Sequence, residues 1–127
     1  MTFELIDVHV HLGVSSVLSV AGSADEILRK MELNGIHKSV ISPIPGYEDP
    51  NGVPDSAVQN EGIAKALKDH PEQLVRGLGV VEPRHGKAAL DEVDRVMEGL
   101  GLSGLMFHND FNGLPVDHPS MYAILER

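Results

Sequence analysis

The chain has 127 residues, which is enough for one globular domain and too few for two ordinary ones. Hydrophobic residues make up 42% and charged residues 23%, values that are typical of a folded protein and exclude a disordered or collagen-like chain. The net charge of -9 argues against binding to nucleic acid or to an anionic membrane. Because cysteine is absent, disulfides are excluded and any metal must have nitrogen and oxygen ligands.

The beginning of the chain does not resemble a secretory signal. Glu4 and Asp7 stand where such a signal has basic residues followed by an apolar segment. The longest stretch without formal charge, residues 8–24, contains two histidines and four serines, which makes it too polar for a membrane span. We therefore expect a soluble, cytoplasmic protein.

The first part of the chain predicts two strands and a helix. Residues 3–11 have β-branched side chains at alternate positions, which is typical of a strand. Ser23 and Glu26 have the spacing of a capping box and predict the start of a helix that Gly35 ends. The short apolar run 39–44 follows and predicts the second strand.

The middle of the chain repeats this pattern. A second helix is predicted over 56–70, with Ser56 and Gln59 as another capping box. The third strand is predicted over 75–81, and its two glycines would allow a helix to pack closely on it. Apolar residues at helical spacing then predict a third helix that begins at Ala89 and extends to Leu100.

A fourth strand is predicted over 103–108, and a last helix begins near Pro119 with Asp117 or His118 as its N-cap. Strands that alternate with helices predict an α/β fold with a parallel sheet. The three strand-to-helix connections are long, and they are residues 12–22, 45–55 and 109–117. Because they meet at the carboxyl edge of the strands, we expect the functional face there.

The first strand carries the sharpest motif, Asp7-Val8-His9-Val10-His11. Alternate residues of a strand share a face, so Asp7, His9 and His11 are expected together, with the apolar side chains Ile6, Val8 and Val10 turned toward the helices. Two neutral imidazoles on a rigid strand can bind one metal ion, and Asp7 could fix a ring tautomer. The alternative is a solvated strand face on which the histidines have no common role.

Two segments resemble a known family. IDVHVHLG resembles the first-strand signature of the amidohydrolase superfamily, and LSGLMFHNDFNGLPVDHPSMYAILER resembles the fourth-strand segment of its aminocarboxymuconate semialdehyde decarboxylase-like branch. The resemblance covers essentially the whole chain. It implies a (β/α)8 TIM barrel with a catalytic divalent metal, commonly zinc. Residues 1–127 would form its N-terminal half, a partial domain of about four βα units.

The same resemblance implies that His9 and His11 are the first two metal ligands. The other site residues of the family are histidines after the fifth and sixth strands and an aspartate after the eighth, and they have no counterpart in this chain. The predicted fourth strand also has Met106 and Phe107 and no lysine, so a carboxylated lysine between two metals is not expected.

Two further residues are expected at the functional edge. His108 ends the fourth strand and would contact the substrate, the metal-bound water or a neighbouring loop. Arg84 follows the third strand and would either bind a substrate carboxylate or be an ordinary surface residue. The expected function is metal-dependent hydrolysis or non-oxidative decarboxylation of a small carboxylic or cyclic molecule.

Two alternatives remain from the sequence. The chain could be a non-catalytic half-barrel, stable alone or as a homodimer, because its first and fourth strands would be unpaired edges. A small nucleotide-binding domain is disfavoured, because residues 11–16 contain neither GxGxxG nor a P-loop lysine.

Overall fold

The computed structural model describes residues 3–15, 20–44, 56–109 and 113–127. In chain order its elements are β1 (Ile6–Ser15), β2 (Val20–Gly22), α1 (Ala24–Asn34), β3 (Lys38–Pro43), α2 (Ser56–Asp69), β4 (Leu74–Gly77), a 3-10 turn (Pro83–His85), α3 (Lys87–Asp94), a π-helical turn (Arg95–Gly99) and α4 (Pro119–Leu125). The fold is α/β, as predicted. None of the described helices has the length and apolar character needed to cross a bilayer.

The sheet has the order β2-β1-β3-β4, and the β1–β3 and β3–β4 pairs are parallel. The predicted fourth strand is present only as a single parallel bridge between Gly79 and Leu105. The backbone N–H of Gly79 donates to Gly104 at 2.9 Å, and that of Met106 donates to Gly79 at 2.8 Å. Residues 103–108, which we call the edge segment, therefore extend the sheet beyond β4 without a full strand.

The predicted loop 12–22 is in part a β-hairpin, so that prediction was wrong. β1 continues to Ser15, and β2 pairs with it antiparallel from Gly13↔Gly22 to Ser15↔Val20. A Cβ on Gly22 would lie 2.9 Å from the carbonyl oxygen of His11, so this close approach requires glycine. Loop 45–55 and residues 110–112 of loop 109–117 lie outside the described residues.

The helix boundaries follow the predicted caps in α1 and α4. Ser23 and Glu26 form both bonds of a capping box, and Gly35 ends α1 with a left-handed φ of 65°. His118 is the N-cap of α4. The second predicted capping box is not formed, because Ser56 is already helical and the Oε1 atom of Gln59 has no hydrogen-bond partner in the described part. The predicted third helix is α3 followed by the π-helical turn.

The core lies between the sheet and helices α1 and α2. Its central side chains are at most 1% exposed, and they are Ile41, Ile63, Leu74 and Val96. A Cβ on Gly77 of β4 would lie 2.5 Å from a methyl carbon of Ile63. This confirms that glycine in the predicted third strand, which is β4, allows α2 to approach it closely. The burial of this middle region holds the carboxyl ends of the strands in fixed positions.

A buried asparagine joins α2 to the chain after β4. Asn60 donates to the carbonyl of Val80 at 2.8 Å and accepts from its N–H at 2.8 Å. Its amide nitrogen also donates to Glu92 at 2.7 Å, and Glu92 is paired with Arg95. Asn60 thus satisfies backbone groups of Val80 with side-chain hydrogen bonds.

Candidate functional site

A β-bulge interrupts β1 at the histidine motif. Asp7 is paired with Ser39, and Val10 is paired with Ile41, so three steps along β1 match two steps along β3. A bulge of this kind shifts the alternation of side chains by one residue. Asp7 and Val10 therefore lie on the same face of the sheet, because Ser39 and Ile41 share a face.

The bulge separates Asp7 from His11. His11 pairs with Ser42, on the opposite face from Asp7 and Val10, so the prediction of one face for Asp7, His9 and His11 was wrong. Val10 packs against the core, while Ile6 and Val8 are 46% and 70% exposed, so their predicted packing under the helices was also wrong. The reason is the extra residue in β1, which only the pairing with β3 reveals.

Asp7 contacts the backbone of the motif and not an imidazole ring. Its Oδ1 accepts a hydrogen bond from the backbone N–H of His9 at 3.0 Å. Asp7 also lines the cavity between β1 and α1, together with His11, Ile27 and Lys30. The described contacts of Asp7 therefore stabilise the bulge and do not fix a ring tautomer.

The rings of His9 and His11 meet at the edge of the sheet. Their Nε2 atoms are 3.1 Å apart, and their ring centroids are 4.8 Å apart with an interplanar angle of 89°. His9 is exposed and His11 is partly buried. The Nε2 atoms of the two rings thus approach each other at a point that solvent can reach through His9.

His11 is held from its other ring nitrogen. Its Nδ1 lies 3.2 Å from the carbonyl oxygen of Pro43 and 3.0 Å from the hydroxyl of buried Ser42. A carbonyl oxygen only accepts, so the bond to Pro43 requires a proton on Nδ1 and leaves the lone pair of Nε2 directed at His9. Sequence reasoning missed Ser42, whose signal was a polar residue inside an apolar run.

His108 joins the pair from the edge segment. Its ring centroid is 5.5 Å from that of His11, with the planes tilted by 55°. The structure therefore places His108 at the same edge of the sheet as His11, as the sequence predicted. The imidazoles of His9, His11 and His108 therefore form one cluster, although His108 is far from the other two in sequence.

Burial favours the uncharged form of His11 and His108. Burial lowers the pKa of His11 below its usual value, and the nearby His9 lowers it further against the opposing effect of the Pro43 carbonyl. Burial also lowers the pKa of His108, with smaller effects from His11 and His9. Both rings are consequently neutral at pH 7, which is the form that binds metal ions.

Arg84 is held by a buried carboxylate. Its Nε and Nη2 atoms donate to the two oxygens of Glu82 at 2.6 and 2.9 Å, and its backbone N–H donates to Glu82 at 3.0 Å. The side chain of Glu82 is fully buried, so this pairing compensates a buried charge. Sequence reasoning missed Glu82, although a charged residue directly after the apolar run 75–81 was a usable signal.

Comparison with known proteins supports the architecture. A curated relative, 2-amino-3-carboxymuconate-6-semialdehyde decarboxylase from Dictyostelium discoideum, is 30% identical over 109 residues, which are 80% of this chain and 30% of the relative. The solved 5-carboxyvanillate decarboxylase from Sphingomonas paucimobilis superposes with a TM-score of 0.75 at 21% identity, over 98% of this chain and 48% of its own.

A second similar structure was solved with a bound metal. The 5-carboxyvanillate decarboxylase from Novosphingobium aromaticivorans, solved with bound manganese and 3-methoxy-4-hydroxy-5-nitrobenzoic acid, superposes with a TM-score of 0.72 at 15% identity, over 98% of this chain and 47% of its own. No family model matches the sequence. The chain spans 30% of the curated relative and about half of these solved structures.

The alternating fold, the first-strand histidine pair and these similarities define an amidohydrolase-type protein, and the chain belongs to the amidohydrolase superfamily. Within it, the chain lies in the branch that contains aminocarboxymuconate semialdehyde and 5-carboxyvanillate decarboxylases. Its fold matches about half of a TIM-barrel decarboxylase, in agreement with the predicted half-barrel.

The histidine pair fits a divalent metal. Two nitrogens bound to one ion at about 2.05 Å lie about 2.9 Å apart at an angle of about 90° and about 3.3 Å apart at the tetrahedral angle. The 3.1 Å between the Nε2 atoms of His9 and His11 falls between these values. In the described ranges no group of three or more His, Asp or Glu side chains is placed to hold an ion.

Proposed function

We propose that this chain provides the first four βα units of a divalent-metal-dependent decarboxylase that acts on a small carboxylate without an oxidising cofactor. The observation that carries the proposal is the 3.1 Å approach of His9 and His11 near the end of the part of β1 that pairs with β3. The decarboxylases among the relatives favour this reaction over hydrolysis. Zinc is our first expectation for the metal because both ligands are imidazoles, and manganese is the second because a similar protein binds it.

Each residue of the site has a proposed task. His9 and His11 hold the ion through Nε2, and the Pro43 carbonyl orients the His11 ring. When bound, such an ion polarises oxygen atoms of the substrate. His108 lies beside His11, where it donates a hydrogen bond to the substrate or accepts one from it. Arg84 binds a substrate carboxylate in an orientation fixed by Glu82.

Metal binding tests the proposal without any need for turnover. The metal-free chain is titrated with zinc and with manganese, and bound metal is measured after equilibrium dialysis. We expect one ion per chain and a loss of affinity of about tenfold or more in His9→Ala and in His11→Ala. His85→Ala, which removes an exposed histidine of the 3-10 turn, is the matched control and should bind like the unchanged chain.

Two results would contradict the proposal. If the unchanged chain binds no more zinc or manganese than the double variant His9→Ala/His11→Ala, the pair is not a metal site. If the isolated 127-residue chain releases CO2 from hydroxybenzoate or muconate carboxylates in a metal-dependent manner, it needs no further barrel units and does not supply only the first part of a site.

A further inference from the structure

The ladder between β3 and the chain after β4 cannot continue past Ile41. Ile41 pairs with Gly77, and its carbonyl accepts the backbone N–H of Leu78 at 2.9 Å. Bonds of a parallel pair recur every two residues, so the next two would join the N–H of Pro43 to the Leu78 carbonyl and the N–H of Val80 to the Pro43 carbonyl. Proline has no N–H, so the first of these bonds cannot form.

The carbonyl of Pro43, which the register matches with Val80, is bonded elsewhere. Its oxygen lies 3.2 Å from Nδ1 of His11 on the neighbouring strand β1. The same register matches the carbonyl of Val80 with the nitrogen of residue 45, which is again a proline without an N–H. Both backbone groups of Val80 therefore take partners outside the regular ladder.

Asn60 supplies both of these partners. Its Oδ1 accepts the N–H of Val80 at 2.8 Å, and its Nδ2 donates to the Val80 carbonyl at 2.8 Å. The side-chain amide thus takes the place of a peptide group on the neighbouring strand. Asn60 is completely buried and Val80 is 4% exposed, so water does not readily replace either bond.

The amide of Asn60 is held in one orientation. Its Nδ2 also donates to Glu92 at 2.7 Å, and both carboxylate oxygens of Glu92 accept from Arg95 at 2.8 Å. Because the two neighbours of Nδ2 only accept, the amide oxygen must face the N–H of Val80. Arg95 donates further to the carbonyl of Ala57 in the first turn of α2, at 3.0 Å. The acceptor for Val80 is therefore fixed by two helices and does not depend on β3.

We propose that Asn60 is a positioning residue for His11. By accepting the N–H of Val80, it leaves the carbonyl of Pro43 to His11, which keeps the ring proton on Nδ1 and the lone pair on Nε2. Asn60 acts through Val80 and Pro43. The inference rests on the proposed metal site for the use of that lone pair, but the position of the proton is measured in the metal-free chain.

The ring proton of His11 in the unchanged chain is the first test. The full 127-residue chain is prepared with isotopically labelled histidine, and long-range proton–nitrogen NMR correlations identify the protonated ring nitrogen. The spectra are recorded without metal at about pH 8, where imidazoles are neutral. His11→Ala identifies the signals of His11. We expect the proton on Nδ1, and a proton mainly on Nε2 would overturn the proposal.

Asn60→Leu removes the acceptor at nearly constant shape. The buried N–H of Val80 is then without a partner, and the carbonyl of Pro43 is the one that the register offers. The Ser42 hydroxyl, 3.0 Å from Nδ1 of His11, can donate to that nitrogen once its proton is lost. We expect most of the His11 protons to move to Nε2, and an unchanged proton on Nδ1 would contradict the proposal.

Asn60→Asp is the matched variant that separates positioning from stability. It keeps an oxygen for the N–H of Val80, but it loses the donor bonds and places a second carboxylate beside Glu92. We expect it to lower the urea midpoint and still to keep the His11 proton on Nδ1. Ile63→Val, which removes a buried methyl group from the same helix, should also keep it there. If either variant moves the proton as Asn60→Leu does, Asn60 contributes to stability alone.

Zinc affinity gives a second measurement on the same variants. Asn60→Leu should bind zinc about tenfold more weakly than the unchanged chain, and Asn60→Asp should stay within about twofold of it. An equal loss in both variants would overturn the proposal. Asn60→Val, which also lacks an acceptor, replaces Asn60→Leu if that variant does not fold. If the unchanged chain binds no zinc, the proposed function fails, and the position of the His11 proton still decides the role of Asn60.

Discussion

The middle of the sheet and its edges carry the same kinds of apolar side chain, but these are buried in the middle and exposed at the edges. Ile41 on β3 and Leu74 on β4 are at most 1% exposed, because both lie in the core cluster with Ile63 of α2. Ile6 and Val8 on β1 are 46% and 70% exposed. The difference shows that burial in this chain is decided by neighbouring elements and not by the hydrophobicity of the residue.

The comparison also explains where the candidate site is rigid. His11 lies between the two regions, with Ser42 and Pro43 of the middle strand fixing its ring, whereas His9 is exposed on the bulge. The ring of His11 is thus anchored to the core, and that of His9 is supported mainly by the bulge. We expect substitutions in the middle region to have large effects on stability and substitutions at the edges to have small ones.

The largest effect is expected for Ile63→Ala in the core. Ile63 is completely buried on α2, so the variant should lower the free energy of unfolding by about 2–5 kcal/mol, measured by urea denaturation. Val58→Ala on the same helix, where the side chain is 60% exposed, should change it by no more than about 0.5 kcal/mol. Equal effects of the two changes would remove the distinction between core and surface on α2.

Gly77→Ala should be the next in size. The added Cβ would lie 2.5 Å from Ile63 Cγ2 and 2.8 Å from Leu67 Cδ1, so we expect a loss of about 1–3 kcal/mol from overpacking. Gly62→Ala is the matched control, since nothing lies within 4 Å of the added Cβ, and it should stabilise α2 by about 0.4–1 kcal/mol. If Gly77→Ala does not change the free energy of unfolding in urea, α2 does not pack on β4 as closely as described.

Ser23→Ala tests a local contribution at the boundary between the hairpin and α1. Loss of the hydrogen bond from the backbone N–H of Glu26 to the Ser23 hydroxyl should lower the free energy of unfolding by about 1 kcal/mol. Ser23→Asp keeps an acceptor at the N-cap and should restore most of the loss. Thermal unfolding followed by circular dichroism measures both, and an unaffected Ser23→Ala variant would mean that the cap does not contribute.

The smallest effect is expected for Val8→Thr on β1. Because Val8 is 70% exposed, replacing one of its methyl groups by a hydroxyl should change the free energy of unfolding by no more than about 0.5 kcal/mol. The measurement is urea denaturation. A loss of more than about 1 kcal/mol would show that Val8 is buried in the single chain and would contradict the comparison.

Local patterns in the sequence predicted the features that depend on neighbours in the chain. The Ser23–Glu26 capping box, the glycine after α1 and the alternation of strands with helices were all confirmed, because each depends on residues within a few positions. The Ser56–Gln59 box was wrong, because the same spacing occurs inside a helix whose first turn begins at Ser56. A capping motif specifies a helix start only when the preceding backbone leaves the helix.

The site was predicted in part. The histidine pair follows from alternation along a strand and from the resemblance to the family, and the structure places their Nε2 atoms 3.1 Å apart. Glu82 was missed because a charged residue is expected at the surface, and its burial is explained only by the pairing with Arg84 in the structure. The side on which Asp7 lies was wrong, because one unmatched residue in β1 reverses the alternation.

The sequence by itself determined the fold class, the ends of α1, the glycine positions under α2 and the presence of two imidazoles on the first strand. The tertiary structure alone decided the bulge between Asp7 and Val10, the β1–β2 hairpin and the approach of His108 to His11. Periodicity and capping act over a few residues, whereas strand register is set by a partner about 30 residues away in the case of β1 and β3. Side chains that meet across strands are therefore specified only when the sheet has formed.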